Sequence, residues 1–185
     1  MSLYKSVPEE VVLINEHDEV LGTMEKMEAH RRALLHRAVS VFLVNSQGQW
    51  LLQRRNRQKY HSGGLWTNTC CTHPFPGESY ESAAHRRLKE EMGLSCPSLS
   101  PLFRFIYKAE LDNELTEHEL DHIFVGYTDT LPEVNPQEVE EWHYIPFPEL
   151  KRKVSRQPES YTVWFRNIYQ EVEKYLTKEQ LYDKD

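Results

Sequence analysis

The chain of 185 residues has no long apolar run, which excludes a transmembrane helix. Its opening, Met1 to Ser6, lacks the apolar stretch and cleavage site of a secretory signal, so secretion is not expected. Cysteine is scarce. There are three, an odd number without framework spacing, and a bridge between the adjacent Cys70 and Cys71 would be strained. The expected compartment is therefore the reducing cytoplasm. Positive charge is also short: the formal net charge is -7 and the mean hydropathy is -0.69. That balance implies a soluble protein with no general nucleic-acid surface and no membrane partner, and its acidic exterior suits a monomer. The basic residues cluster locally, at Arg31-Arg32, Arg54-Arg55 with Arg57, and Arg86-Arg87. A basic pocket in an acidic protein suits a small anionic ligand better than a polyanion.

No repeat, low-complexity segment or linker divides the chain. Val11 to Ile14 and Val20 to Met24 read as a hairpin, and Glu25 to Leu34 as irregular or briefly helical. His36 to Asn45 reads as a buried strand, turned back by Ser46-Gln47-Gly48 into Gln49 to Arg54. Lys59 to Thr69 reads as a loop. Ser79 to Met92 is a helix with Glu78 and Glu81 at its positive end and Gly93 as its terminator. Phe103 to Glu110 and Leu120 to Thr130 are strands joined by an acidic loop, and Trp142 to Ile145 is a short strand. Pro148 to Val154 and Glu159 to Leu176 are helices, the second with Val163, Ile168, Val172 and Tyr175 toward the core. The reading is a single α/β (α+β) domain, a mixed β-sheet sandwiched by helices. It spans residues 11–176, between a flexible N-terminus (1–10) and a charged, fraying tail (177–185).

The chemistry concentrates between Trp66 and Leu94. Cys71-Thr72-His73-Pro74 sets a candidate thiol acid/base two residues from a candidate metal-ligand imidazole, and Arg86-Arg87-Leu88-Lys89-Glu90-Glu91-Met92-Gly93-Leu94 follows on the helix. The latter resembles the Nudix box, G-x5-E-x7-R-E-U-x-E-E-x-G-U with U apolar. Thr72 stands at its first Gly, Glu78 at its first Glu, Arg86 at its Arg, Glu90-Glu91 at its E-E and Gly93 at its last Gly. Arg87 replaces the Glu that belongs to the metal-binding carboxylates of Nudix hydrolases. Arg87 and Glu91, four apart, share a helix face: the cation can pair with a phosphate while Glu91 holds Mg²⁺ on it, although an ordinary salt bridge has the same spacing.

His30 and His36 precede and open the candidate central strand. Glu117 and Glu119, two apart, project from one face if extended, with His118 on the other. With His73 these make an N/O donor set suited to Mn²⁺, Zn²⁺ or Mg²⁺. His17, His61, His85, His122 and His143 fit no ligand pattern.

The landmarks Gly22 to Lys26, Ala29-His30, His36-Arg37-Ala38, Gly64 to Asn68, Cys71-Thr72-His73-Pro74, Glu117-His118-Glu119 and Trp164 together resemble type I isopentenyl-diphosphate delta-isomerase, over about Val11 to Trp164. The resemblance implies a Nudix-like fold and the interconversion of isopentenyl and dimethylallyl diphosphate in isoprenoid precursor synthesis. It implies Cys71 and Glu119 as an acid/base pair on opposite faces of the allylic unit, and Tyr107 as an aid to protonation. By the same resemblance Trp164 would offer its π face to a tertiary carbocation. His30, His36, His73, Glu117 and Glu119 would form the metal site, and Glu91 would hold a second Mg²⁺ that arrives with the diphosphate. Lys26, Arg55, Lys59 and Arg87 would surround the diphosphate. Cys70 and Cys96 are read as packing residues, and Trp66 as a loop anchor. The rival reading is a Nudix diphosphate hydrolase, which would need a Glu where Arg87 stands. A third is a non-catalytic metal- or phosphate-binding domain. A flavin-dependent isomerase of the same substrate lacks support, because no Gly-rich barrel phosphate site is present.

Overall fold

The computed structural model describes residues 9–182, with backbone alone for 178–182. Its elements are β1 (Glu10–Ile14), β2 (Val20–Glu25), α1 (Lys26–Arg31), β3 (His36–Val44), β4 (Gln49–Arg55), β5 (Trp66–Thr67), β6 (Cys70–Thr72), α2 (Tyr80–Met92), β7 (Ser100–Glu110), β8 (Thr116–Tyr127), β9 (Val139–Pro146), α3 (Phe147–Arg156) and α4 (Val163–Tyr182), with a 3₁₀ turn at Pro158–Ser160.

Strand β3 organises the mixed sheet. It runs parallel to β8 from His36↔Glu119 to Val44↔Tyr127. It also pairs antiparallel with β6 (Val39↔Thr72 to Val41↔Cys70) and with β4 at Leu43 and Val44. β1 joins at His36, β7 extends the sheet from β8, and β9 extends it from β4.

Alternation along β3 feeds two cores. Val39, Val41 and Leu43 pack with Cys70 under α2, against Ala83, Ala84, Leu88 and Met92. Phe42 and Val44 face the other way, with Ile123 and Val125 of β8, under Leu150 and Val154 of α3 and Trp164, Phe165, Ile168 and Val172 of α4. The Ser79 side chain caps α2 by accepting from the Ser82 N–H, and Gly93 ends it at φ 65°.

Several boundaries move. Ser100–Glu110 and Thr116–Tyr127 lengthen the expected strands, so Glu117 and Glu119 lie in β8 and not in a solvated loop. Val139–Pro146 is longer than expected because it pairs with β4 along its length. The short strand β5 lies in the expected loop and β6 was given no element, since two or three residues carry no periodicity. The last helix starts at Val163, after the separate 3₁₀ turn, and this rotates its buried stripe. Trp164, Phe165, Tyr169 and Leu176 join Ile168 and Val172 in the core, Val163 is half-buried, and Tyr175 is 37% exposed with its ring stacked on Phe103. Residues 177–182, expected to fray, continue α4, and Glu10 opens β1 rather than ending a flexible segment. The rest of the two expected termini, 1–8 and 183–185, lies outside the described residues. Among the described residues no helix is long and apolar enough to cross a membrane.

Candidate active site

The face of β3 and β8 that packs under α4 is apolar at one end and chemical at the other. Phe42 and Val44 give way at the same parity to Ser40, Ala38 and His36. Ile123 and Val125 give way to Asp121, Glu119 and Glu117. The parallel register sets His36 beside Glu119, and the β3–β6 register sets Cys71 beside Ser40 on this same face. The polar ends line a cavity of about 190 Å³ shared by Cys71, His73, Tyr107, Glu117, Glu119 and Trp164 with Lys26, Arg55, Lys59, Arg87 and Glu91.

Three imidazoles converge on Glu119. The Glu119 Oε1 atom lies 3.0 Å from His73 Nε2, 3.5 Å from His36 Nε2 and 3.9 Å from His30 Nε2. His30 comes from α1, whose first turn is capped by the Glu25 carboxylate accepting from the Met27 and Glu28 N–H groups. His30 Nδ1 donates to the Lys26 carbonyl and His36 Nδ1 to the Leu34 carbonyl, both at 2.7 Å, so each Nε2 presents a lone pair inward. Both Nε2 atoms are buried without a hydrogen-bond partner. Two orphaned lone pairs, a third imidazole and a carboxylate within 4.8 Å of one another fit a divalent cation. Burial lowers His30 and pushes His73 down to about 4, which keeps both imidazoles in the neutral, ligating form.

Glu117 enters through Tyr107, whose hydroxyl oxygen is 2.8 Å from Glu117 Oε2 and 2.8 Å from Glu119 Oε2. Burial and the neighbouring Glu119 raise Glu117 well above the usual carboxylate range. Burial also acts to raise Glu119, but the neighbouring His36 and His73 imidazoles outweigh it and hold Glu119 well below. With no metal bound, one of the two carboxyls therefore keeps a proton while the other is an anion.

Cys71 Sγ sits 3.4 Å from Ser40 Oγ, and it donates to Asn68 Oδ1 at 3.3 Å. Burial, reinforced by Asp121, pushes its thiol up to about 12, so it carries its proton at neutral pH. Cys70 faces the α2 core and Cys96 is buried, as expected of packing residues.

Four cations, Lys26, Arg55, Lys59 and Arg87, line the same cavity. Arg87 lies 2.6 Å from Glu91 and 2.9 Å from Glu138, and Lys59 pairs with the same Glu138. Lys26 pairs with Glu9 at 3.0 Å. Of the two strand arginines, Arg55 is buried over the Trp164 ring, whereas Arg54 leaves for Glu140 and Glu141 and lies over Trp66. Trp66 thus anchors the loop and does not line the cavity. Glu78 pairs with Arg86 at 2.7 Å, which ties the segment before α2 to the helix.

All the residues expected at the site line the cavity or the His/Glu cluster. Sequence reasoning missed Glu9, Ser40, Tyr60, His61, Asn68, Asp121 and Glu138. Asp121 and Ser40 were findable, by extending the two-residue alternation from Glu119 and from His36. Glu9 and Glu138 reach the cavity through pairing alone and carry no local signal. His61, which fitted no ligand pattern in sequence, is 4% exposed and stands 3.8 Å from Glu117. Its loop position after β4 hides this proximity.

A family model described as NUDIX domain matches residues 34–166. With the fold this defines the class, a Nudix-domain protein. A Deinococcus radiodurans structure covering 80% of this chain and 90% of its own superposes with a TM-score of 0.65 at 26% identity. A MutT protein from Methanosarcina mazei superposes with a TM-score of 0.62 at 18% identity, covering 76% of this chain and 94% of its own, which bears on fold alone. Curated relatives narrow the class. An isopentenyl-diphosphate Delta-isomerase of Pectobacterium atrosepticum is 50% identical over 90% of this chain and 92% of its own. An isopentenyl-diphosphate Delta-isomerase 2 of Aromatoleum aromaticum is 47% identical over 84% and 82%. The chain belongs to the isopentenyl-diphosphate Delta-isomerase family.

Proposed function

We propose that the chain interconverts isopentenyl diphosphate and dimethylallyl diphosphate for isoprenoid precursor synthesis. The observation that carries this reading is one cavity that sets a thiol and a carboxylate on strands flanking β3 and is lined by four cations. Net isomerisation needs one proton added at the terminal alkene carbon and one removed from the methylene two carbons away. Cys71, held as a thiol, donates the first. Glu119, held as an anion, accepts the second, and the reverse reaction exchanges the roles. Tyr107 links Glu119 to Glu117 and gives a path by which that proton moves on. The tertiary carbocation between the two transfers is shielded from water by the core under α4 and faces the Trp164 ring, a contact worth about 2 kcal/mol when desolvated.

Lys26, Arg55, Lys59 and Arg87 would hold the diphosphate, and remote binding energy then orients the small apolar tail. His30, His36, His73, Glu117 and Glu119 would hold Mn²⁺, Zn²⁺ or Mg²⁺, and Glu91 a second Mg²⁺ with the diphosphate. Bound there, the first cation supplies positive charge that favours the ionised form of Glu119. Arg87 lies between Glu91 and Glu138 as a cation, which supports retention of the diphosphate over the carboxylate-driven hydrolysis of other Nudix proteins. Three free cysteines support action in the reducing cytoplasm, and the acidic surface supports a monomer.

The test is NMR of isopentenyl diphosphate with Mg²⁺ in D₂O. Dimethylallyl diphosphate carrying deuterium is expected; release of inorganic phosphate or a monophosphate would establish a hydrolase instead.

A further inference from the structure

His61 is a buried imidazole that the proposed reaction leaves without a task. It lies in the loop after β4, ahead of Ser62, whose φ is 51°. Its ring is held edge-on between Tyr60, at 4.5 Å, and Trp164, at 5.8 Å. Nδ1 is 3.2 Å from the Ser62 hydroxyl, which leaves Nε2 aimed at Glu117. The separation from Glu117 Oε1 is 3.8 Å, too long for a hydrogen bond and the spacing of two ligands on one cation. Bonds of about 2.0–2.2 Å put neighbouring ligand atoms about 3 to 4 Å apart. Ligand atoms of His30, His61 and Glu117 all lie within 4.8 Å of one another, and all three residues are buried. The inward His30 Nε2 has no hydrogen-bond partner, so the trio surrounds a lone pair with nothing to accept it.

We propose that His61 is a further metal-ligating residue, which with His30 and Glu117 forms a second side of the cation centre. This rests on the reading of the His/Glu cluster as a metal site. The centre then draws on four imidazoles and two carboxylates. Glu117, which stands apart from the group of His30, His36, His73 and Glu119, is recruited through His61. A donor set this rich in nitrogen favours Zn²⁺ or Mn²⁺ over the oxygen-seeking Mg²⁺.

The experiment is a Zn²⁺ titration of the full chain, labelled with ¹⁵N-histidine and freed of metal by chelation. Imidazole nitrogens are read by NMR and affinity by chelator competition. The His61 Nε2 resonance, assigned by its absence in His61→Gln, is expected to move to the range of a metal-bound nitrogen. His61→Gln is expected to weaken Zn²⁺ binding at least tenfold, with a smaller loss for Mg²⁺. The wild-type spectrum carries the test even where the variant folds poorly. Zn²⁺ on the other three imidazoles with His61 Nε2 unmoved, or equal Zn²⁺ affinity in the variant, overturns the assignment of His61 and leaves the metal site standing. No Zn²⁺ on any imidazole overturns both.

Discussion

The hydroxyl oxygen of Tyr107 lies 2.8 Å from Glu119 Oε2, and it is as close to Glu117. The hydroxyl can accept from a protonated carboxyl and donate to an ionised one, so it can pass a proton between the two. Tyr107→Phe removes that link and leaves two buried carboxyls side by side. Turnover is expected to fall about 10- to 100-fold, the scale of a lost hydrogen bond to a charged group, with KM changed less than kcat. Steady-state kinetics of the variant check this, and unchanged kcat would remove Tyr107 from the proton path.

Cys71→Ala and Glu119→Gln each delete one end of the proton transfer. Both are expected to lose at least about 10²-fold in turnover, the usual scale for a positioned acid or base. Cys71→Ala should still bind the diphosphate, because the four cations that would hold it are left in place. Equilibrium binding beside single-turnover rates separates the two effects. Near-normal turnover by either variant would sink the pair.

Arg87 is expected to act in binding. Its guanidinium lies between Glu91 and Glu138, ready to exchange a carboxylate for a phosphate oxygen. Arg87→Ala should raise KM about tenfold or more, the cost of one charge-assisted hydrogen bond, with a smaller change in kcat. A kcat loss at constant KM would mean that Arg87 serves the chemistry.

Acid should destabilise the metal-free protein through its buried imidazoles. Burial pushes His73 down to about 4 and His61 down to about 2, both below the unfolded value of about 6.5. Because these folded values are lowered, the unfolded chain takes up the protons first. The stability from each is complete above about pH 6.5 and is lost as pH falls, by up to about 1.4 kcal/mol per pH unit for each group. Ionised Glu119 adds loss of the same sign at lower pH. Raised Glu117 and Asp121 oppose it, since they favour the folded state as they become protonated in acid. Urea unfolding between pH 7 and 4.5 should show a shallower slope in His73→Asn than in the wild type. Equal slopes would show that His73 is not the source.

Gly93 is expected to tolerate no side chain. Its φ is 65°, and a Cβ would come 2.4 Å from the Glu133 carbonyl oxygen. Gly93→Ala adds the left-handed cost of about 1–2 kcal/mol to that overlap. Thermal unfolding should reveal a loss of about 2 kcal/mol or more, and an unchanged Tm would mean that the turn at the end of α2 relaxes freely.

The sequence by itself determined the elements with strong local pattern and the residues that carry chemistry. The alternation of β3 and the cap and terminating Gly93 of α2 are local properties of consecutive residues. The Glu117-x-Glu119 pair was visible because an extended chain places every second residue on one face, and Cys71-x-His73-Pro74 was visible as a motif of the family that the chain resembles. Parity said that only one of Arg54 and Arg55 faces the site, and the register of the family that the chain resembles chose Arg55. Tertiary structure alone decided what depends on contacts between distant segments. It made strands of Trp66–Thr67 and Cys70–Thr72, which are too short to show a period, by pairing them with β4 and β3. It set the phase of α4 by pinning Thr162 to the Trp66 carbonyl, which buried Trp164 and left Tyr175 at the margin. It turned Glu117 and Glu119 from an acidic loop into a buried pair, because β8 runs the length of β3 and carries them in beside His36. It brought His61, Glu138 and Glu9 to the cavity from loops and an edge that no local pattern connects. Spacing along a chain reports which side chains share a face; which faces meet depends on burial summed over the whole fold.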